Sequence, residues 1–134
     1  MAIQLSVAVR NAMLDAIEAT IGTGAILKLF TGAQPASCAA ANSGTELASL
    51  TLPSDWMAAA SNGTKALAGT WQSTGIAAGT AAHYRIYASD GTTCGKQGSV
   101  TATGGGGDLT LDNAVIAVGQ TITITGMTWT APNA

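Results

Sequence analysis

The feature that most limits how this chain can fold is the change in hydrophobic spacing after residue 22. Only residues 6–21 place apolar side chains every three or four positions, which is the spacing of an amphipathic helix. From residue 25 onward the apolar runs are short and are separated by Gly, Pro and Asp-Gly turn signals. One helix followed by roughly six to eight short strands predicts a mainly β fold, a β-sandwich or jelly-roll-like single domain with an N-terminal α-helix. Residues 1–24 would form the helix and its lead-in, and residues 25–134 the β-sandwich domain.

The helix prediction includes both of its ends and the face by which it packs. Ser6 is suited to cap the first turn, and Gly22 stands where a left-handed residue ends a helix. Asn11, Asp15 and Glu18 fall on the side opposite to the apolar residues. We therefore expect the helix to pack on the β domain or on a neighbouring subunit through one apolar stripe, formed by Val9, Met13, Ala16, Ile17 and Ile21.

The strand predictions depend on alternation and on turn residues. Asp90-Gly91 is a strong hairpin signal, so the strands before and after it should pair antiparallel. The sequence predicts strands at residues 25–31, 46–52, 64–68, 80–88, 93–102, 108–111, 115–118 and 120–130.

The strand before that hairpin shows the clearest alternation of faces. Tyr84 and Ile86 would face one way, towards the core. His83, Arg85 and Tyr87 would lie on an outer or interface face, with the histidine half-exposed.

The last predicted strand changes parity in its middle. Ile122 and Ile124 lie on one face of a regular strand, whereas Met127 and Trp129 fall on the other. One extra residue at Gly126 would return all four side chains to the same face. The sequence therefore predicts a β-bulge at Gly126.

Charged residues are scarce, and this limits the partners of the chain. Asp, Glu, Lys and Arg make up 9% of residues, against about 25% in a typical soluble domain. A surface of Thr, Ser, Gly, Ala, Asn and Gln suits a protein that is packed among neighbours. A net charge of −2 with no run of Lys or Arg argues against nucleic-acid binding. No apolar run is long enough for a membrane span, and residues 1–5 lack a secretory signal pattern, so we expect synthesis in the cytoplasm.

The two cysteines leave two alternatives open. Cys38 and Cys94 are far apart in sequence and show no metal-binding spacing. The cytoplasmic expectation favours two reduced thiols. The alternative is one disulfide that ties the loop around Cys38 to the strand or turn at Cys94 and closes a long loop.

No residue pattern indicates an enzyme or a metal site. A catalytic triad would have to combine the only histidine, His83, with Asp90 or Asp55, yet no serine stands in a G-x-S-x-G setting. Asp108 and Asp112 flank a short strand without the D-x-D-x-D-G pattern of a calcium loop. The predicted catalytic, cofactor-binding and metal residues are therefore none, and we expect the protein not to be an enzyme.

Two further features have both a functional and a structural interpretation. The run Gly104–Gly107 lacks the G-K-[ST] ending of a phosphate loop, so it is read as a flexible turn. The aromatic residues could form an exposed platform for sugars, which would make the chain a carbohydrate-binding β-sandwich. With only six aromatics in the chain, we expect the core or subunit contacts to need most of Trp56, Trp71, Tyr84, Tyr87 and Trp129.

Several motifs together resemble a family of small virion proteins of tailed phages and prophages, the capsid decoration or cement proteins. The motifs are structural, and residues 34–79 match them least. They are R-N-x-x-L-D-A-I at 10–17, I-G-x-G-A-x-L-x-L-F at 21–30, Y-R-I-Y-x-S-D-G at 84–91, Q-G-S-V at 97–100, D-L-T-L at 108–111, and G-Q-x-I-x-I-x-x-M-T-W-T at 119–130.

The resemblance implies a structural virion protein without catalytic residues or cofactors. Its partner would be the major capsid protein, whose neighbouring copies it would bridge to stabilise the phage head. The long loop 33–45 would reach a neighbour, and the chain would form a homo-oligomer, a dimer or trimer. A tail or head-tail connector subunit is the alternative within the virion.

Overall fold

The computed structural model describes residues 3–131, in which one helix is followed by ten strands. The prediction of a mainly β, sandwich-like fold with an N-terminal helix is confirmed. Each predicted strand overlaps an observed one, while the short strands at 72–74 and 79–80 were not recognised as separate elements. The elements are α1 Val7–Ile21, β1 Ile26–Phe30, β2 Glu46–Thr51, β3 Thr64–Ala66, β4 Gln72–Thr74, β5 Gly79–Thr80, β6 His83–Tyr87, β7 Cys94–Ala102, β8 Leu109–Leu111, β9 Val115–Ile116 and β10 Thr121–Thr130.

Most strands belong to one curled sheet in the order β2-β1-β6-β7-β8-β10-β3, and β4 also pairs with β10. The curl brings β4 back to β2 at the far end of the sheet. The Ser73 hydroxyl donates to the carbonyl of Ser49 at 3.1 Å, and the Ile76 amide donates to the carbonyl of Leu47 at 2.8 Å. The inner face of the sheet therefore encloses the core.

A single hydrophobic cluster fills the interior and includes residues from the helix and from both ends of the sheet. Three indole rings lie at its centre. Trp56 is tilted against Trp71 at a centroid distance of 6.1 Å and meets Trp129 edge-on at 5.7 Å. Such tilted and edge-on arrangements are the favourable ones for aromatic pairs.

The ends of α1 are those that the sequence predicts. The Ser6 hydroxyl accepts a hydrogen bond from the Val9 amide at 3.2 Å. Gly22 ends the helix with φ +88° and ψ −176°, which is not the predicted left-handed helical conformation, and its amide donates to the carbonyl of Glu18 at 2.8 Å. These two hydrogen bonds provide partners for backbone groups at the ends of the helix that would otherwise have none.

The predicted bulge in β10 is confirmed. Its pairing with β8 shifts register between Ile124 and Gly126. Ile122, Ile124, Met127 and Trp129 are consequently all buried. The hairpin at residues 57–67 packs beside this strand and contains the Asn62-Gly63 turn, with positive φ at both residues.

The glycine run 104–107 connects two neighbouring strands that run parallel, β7 and β8. Parallel neighbours normally need a much longer connection. Here the chain turns back over the space of a few residues, with φ of +87° at Gly104 and +82° at Gly106. The Gly107 amide donates to the Thr101 hydroxyl at 3.0 Å, so the turn is held to β7.

Cys38 and Cys94 form a disulfide with a Cα–Cα distance of 5.3 Å, so the expectation of reduced thiols is wrong. The bond holds the loop 33–45 against the outer face of β6. The Arg85 guanidinium donates to the carbonyls of Ser37 and Ala40 at 3.0 and 2.9 Å. The alternative left open by the sequence, a disulfide that ties this loop to the strand or turn at Cys94, is the arrangement found.

Candidate interaction surface

The only histidine lies inside the protein. His83 is 0% exposed, its Nδ1 is 2.8 Å from the carbonyl oxygen of Gly32, and its ring stacks on Phe30 with centroids 5.2 Å apart. Arg85 and Tyr87 are buried with it. The prediction of a half-exposed outer face is therefore wrong: His83 packs against Phe30 and Gly32, and Arg85 binds two carbonyls of the disulfide-bound loop.

Three of the candidate carboxylates, Asp90, Asp108 and Asp112, serve turns and strand ends, whereas Asp55 lies exposed in a bend. Asp90 accepts hydrogen bonds from the hydroxyl and amide of Thr93, which lower its pKa to about 2. Asp108 accepts from the amide and hydroxyl of Ser99, both at 3.0 Å. Asp112 accepts from the Thr123 amide at 3.2 Å. Among residues 3–131, no group of three or more His, Cys, Asp or Glu could hold a metal ion.

The aromatic rings do not form an exposed platform. Every aromatic side chain weighed for sugar stacking is at most 5% exposed, namely Trp56, Trp71, Tyr84, Tyr87 and Trp129. Stacking on a sugar requires an accessible ring face. The rings pack the core, as the small number of aromatics led us to expect.

The polar side of α1 faces the protein. The Arg10 guanidinium donates to the carbonyl of Ala131 at 2.9 Å, and the Asn11 side-chain oxygen accepts from the Gly63 amide at 2.8 Å. Asp15 and Glu18 reach the hairpin 57–67 in the same way, through the amides of Ala60 and Met57. The bonds to Asn11, Asp15 and Glu18 satisfy backbone donors that the short hairpin leaves without partners.

A buried lysine in the hairpin explains why the acidic residues face inward. Lys65 is 3% exposed, and its ammonium group lies 2.6 Å from Asp15 and 2.9 Å from Glu18. Burial lowers the pKa of Lys65, but hydrogen bonds to Asp15 and Glu18 outweigh this and raise it. The hydrogen bond from Lys65 is the main reason why the pKa of Asp15 is lowered. A buried ammonium group without carboxylates would be strongly unfavourable.

The rotation of the helix towards Lys65 leaves apolar residues in contact with solvent. We call these exposed residues the outward face of α1: Ala8, Val9, Ala12, Met13, Ala16, Ala19 and Thr20. Val9 is 47% and Met13 43% exposed, whereas Leu14 and Ile21 are buried and Ile17 is packed against the core. The predicted burial of the stripe within the chain is therefore wrong for Val9, Met13 and Ala16. Its packing on a neighbouring subunit stays a prediction.

The outward face carries no charge, which is unusual for a solvent-facing helix surface. The three charged residues of the helix, Arg10, Asp15 and Glu18, all bind within the chain. The sequence period alone could not show this, because it identifies two faces without saying which one meets the protein. The sequence indicates the inward face only weakly, through two acidic residues three positions apart, Asp15 and Glu18, and through Lys65 close to the Asn62-Gly63 turn.

A second group of exposed apolar side chains lies elsewhere on the molecule. Ile76, Val115 and Val118 are 55%, 61% and 70% exposed. Their segments are joined by backbone hydrogen bonds, since the Gly119 amide donates to the carbonyl of Gly75 at 2.8 Å. Within residues 3–131, these side chains form an exposed apolar area in addition to the outward face of α1.

Comparisons with protein-family models, with curated proteins and with solved structures found no match to this chain. No helix within residues 3–131 is long and apolar enough to cross a membrane.

Proposed function

We propose that this chain is a structural virion protein, a capsid decoration or cement subunit. It binds the outside of an icosahedral shell through contacts with the major capsid protein and bridges neighbouring copies of it. Contacts that exist only in the assembled shell stabilise that shell by mass action, without any chemical reaction. The protein acts in the virion after synthesis in the host cytoplasm.

The observation that carries this proposal is the uncharged outward face of α1. The charged residues of α1 all bind to other parts of the chain, while the helix exposes Val, Met and Ala side chains to solvent. Such a surface is suited to contact another protein. Ala residues at positions 8, 12 and 16 allow a partner to approach closely.

Two further features support an adhesive role on a virion surface. The low fraction of charged residues suits a subunit that is surrounded by neighbours. The Cys38–Cys94 disulfide is typical of proteins that function in oxidising surroundings, including virion surfaces. A second copy of the chain is a further partner for the apolar areas, so the proposal includes a dimer or trimer.

A cosedimentation experiment tests the proposal. Capsid shells assembled from a major capsid protein in the absence of this chain are mixed with the purified chain. We expect the wild-type chain to sediment with the shells and to raise their melting temperature. Ala16→Asp places a charge in the outward face and should abolish both effects, because the charge must be desolvated on docking.

The matched control is Ala82→Asp, at an exposed position between β5 and β6. It introduces the same charge away from the helix and should sediment with shells as the wild type does. Equal binding by Ala16→Asp would remove the helix face from the proposal. No binding of wild-type chain to shells, together with binding to purified tails or connectors, would replace the decoration role with a tail or head-tail connector role.

A further inference from the structure

The sheet has two facing free edges between β7 and β10. β8 separates these strands but is only three residues long, and it pairs with Val100–Ala102 of β7 and Ile124–Met127 of β10. Residues 94–99 of β7 precede the stretch that pairs with β8, and they pair only with β6. Residues 128–130 of β10 follow the stretch that pairs with β8, and they pair only with β3. On the sides that face each other, neither stretch has a strand partner within residues 3–131.

The backbone of β10 directs hydrogen-bonding groups into this gap. The carbonyl of Met127 and the amide of Ala131 bond to the hairpin 57–67 on the other side, at 3.2 and 3.0 Å. Backbone groups of successive residues in a strand point to opposite sides. Those of Thr128 and Thr130 therefore point towards β7.

The same alternation applies to β7. The Val100 amide donates to the carbonyl of Ala82, so the groups of Gln97 and Ser99 point the other way, into the gap. The Ser99 amide confirms this direction, since it donates to the carboxylate of Asp108 at 3.0 Å. The backbone of Gln97 then faces Thr128 and Thr130 across the gap.

A cleft of about 450 Å³ lies in the gap and has α1 as one wall. Met13, Leu14 and Ile17 supply an apolar side, while Tyr84, Lys96 and Trp129 lie on the sheet. The volume falls within the range of sites that bind a ligand or a short peptide segment, about 300–1,000 Å³.

Two donors at this cleft have no acceptor in the described part of the chain. The ammonium group of Lys96 lies over the ring of Trp129, 4.9 Å from its centroid, and forms no ion pair or hydrogen bond there. The Nε1–H of Trp129 is buried and also lacks an acceptor, while the residue is 5% exposed. Burial lowers the pKa of Lys96, although the charge of Asp108 opposes this shift. A bound carboxylate would compensate the loss of hydration of this amine.

We propose that an extended peptide segment with an acidic side chain binds in this gap as an additional strand between β7 and β10. Its backbone bonds to Gln97 on one side and to Thr128 and Thr130 on the other, which is the strand-addition mode of peptide recognition. Its acidic side chain points inward and accepts from Lys96. This site goes beyond the shell-binding role and does not depend on it, since it uses the backbone of β7 and β10 and shares only Met13 with the outward face of α1.

The test uses fluorescein-labelled pentapeptides with blocked ends, whose central residue is Asp, Glu, Asn or Lys and whose other residues are Thr or Val. We expect the Asp or Glu peptides to bind the intact protein and to shift the amide NMR signals of Gln97, Thr128 and Thr130. Lys96→Met should weaken their binding by about tenfold or more, as the loss of a charge-assisted hydrogen bond would. Lys28→Met is the matched control, because Lys28 pairs with Glu46 on another strand, and it should bind as the wild type does.

Backbone recognition is tested separately with peptides that are N-methylated at alternate amides. These keep the carboxylate but cannot donate to one of the two flanking strands, so they should bind more weakly. Circular dichroism of Lys96→Met checks that the variant is folded, and if it is not, Lys96→Arg, which keeps a cation, should retain acidic preference. The proposal is overturned if none of the peptides binds, if Lys-centred peptides bind equally well, or if sodium acetate alone competes as well as the peptide.

Discussion

At the scale of single residues, Lys65 determines how the helix is oriented. Its ammonium group is buried and is held by two carboxylates of α1, Asp15 and Glu18. Apolar packing by Leu14 and Ile21 allows the helix to lie on the β domain, but it does not require the polar face to turn inward. The ion cluster does, because a buried charge without partners is far less favourable than an apolar side chain exposed to water.

The variant Asp15→Asn/Glu18→Gln tests this role of Lys65. It leaves a buried ammonium group without a carboxylate, so the free energy of unfolding should fall by about 3 kcal/mol. Adding Lys65→Met removes that charge and should recover a large part of the loss. Urea unfolding measures the free energy of unfolding of the wild type, the double variant and the triple variant. If the double variant is as stable as the wild type, Lys65 does not depend on these carboxylates.

The same cluster predicts a pH dependence. The pKa of Asp15 is lowered in the folded protein from its ordinary value of 3.8, so its contribution is present above that value and is lost as pH falls through the folded pKa. The pKa of Lys65 is raised above 10.5, so its contribution is present below 10.5 and is lost as pH rises through the folded pKa. Because Asp15 is half-exposed, its contribution to the free energy of unfolding is small. In urea titrations, Asp15→Asn should flatten the acid limb of stability against pH.

At the scale of elements, the glycine run makes a connection that other residues would strain. Gly104 and Gly106 both have positive φ, and an added Cβ at either would meet no atom within 4 Å. Neighbouring atoms therefore leave room for a side chain, and only the positive φ favours glycine at these positions. The turn sets β8 parallel to β7 and so fixes where the sheet edges that bound the peptide cleft begin.

Gly106→Ala and Gly106→Asn separate this conformational effect from packing. Alanine in a left-handed conformation should lower the free energy of unfolding by about 1 kcal/mol. Asparagine tolerates that conformation better, so it should lower the free energy of unfolding by less than alanine does, although its side chain is larger. Thermal unfolding of the two variants checks the order. A larger loss for asparagine than for alanine would indicate that packing, and not φ, requires glycine there.

At the scale of the whole molecule, the disulfide decides which side of the sheet is buried. The loop that it holds binds Arg85 through the carbonyls of Ser37 and Ala40, and β6 is buried on both faces. Without this loop, the guanidinium group would lose both carbonyl acceptors. The loop is thus part of the fold, and it leaves α1 and the segments near Ile76 and Val118 to present apolar surface.

Cys38→Ser/Cys94→Ser should lower the free energy of unfolding by roughly 4 kcal/mol, the chain-entropy value for cross-linking residues this far apart. The two cysteines are separated by 56 positions. Dithiothreitol should destabilise the wild type to the same extent in urea unfolding and have no effect on the double serine variant. A reductant effect that is equal in both proteins would show that the disulfide does not stabilise the fold.

The sequence by itself determined the features that depend on neighbours along the chain. The caps at Ser6 and Gly22, the Asp90-Gly91 hairpin and the bulge at Gly126 follow from local spacing and from the φ that each residue tolerates. The buried aromatic rings follow from their small number in a chain that must fill one core.

Only the tertiary structure decided which surfaces meet. Periodicity separates the faces of α1, but Lys65, fifty residues after Asp15, determines which face turns inward. Alternation separates the faces of β6, but the loop bound through Cys38 and Cys94 accepts hydrogen bonds from Arg85 on the face expected outside. The sheet gap between β7 and β10 depends on the length of β8 relative to both of its neighbours. In each case the deciding contact joins residues far apart in sequence, and its free energy is not contained in any local pattern.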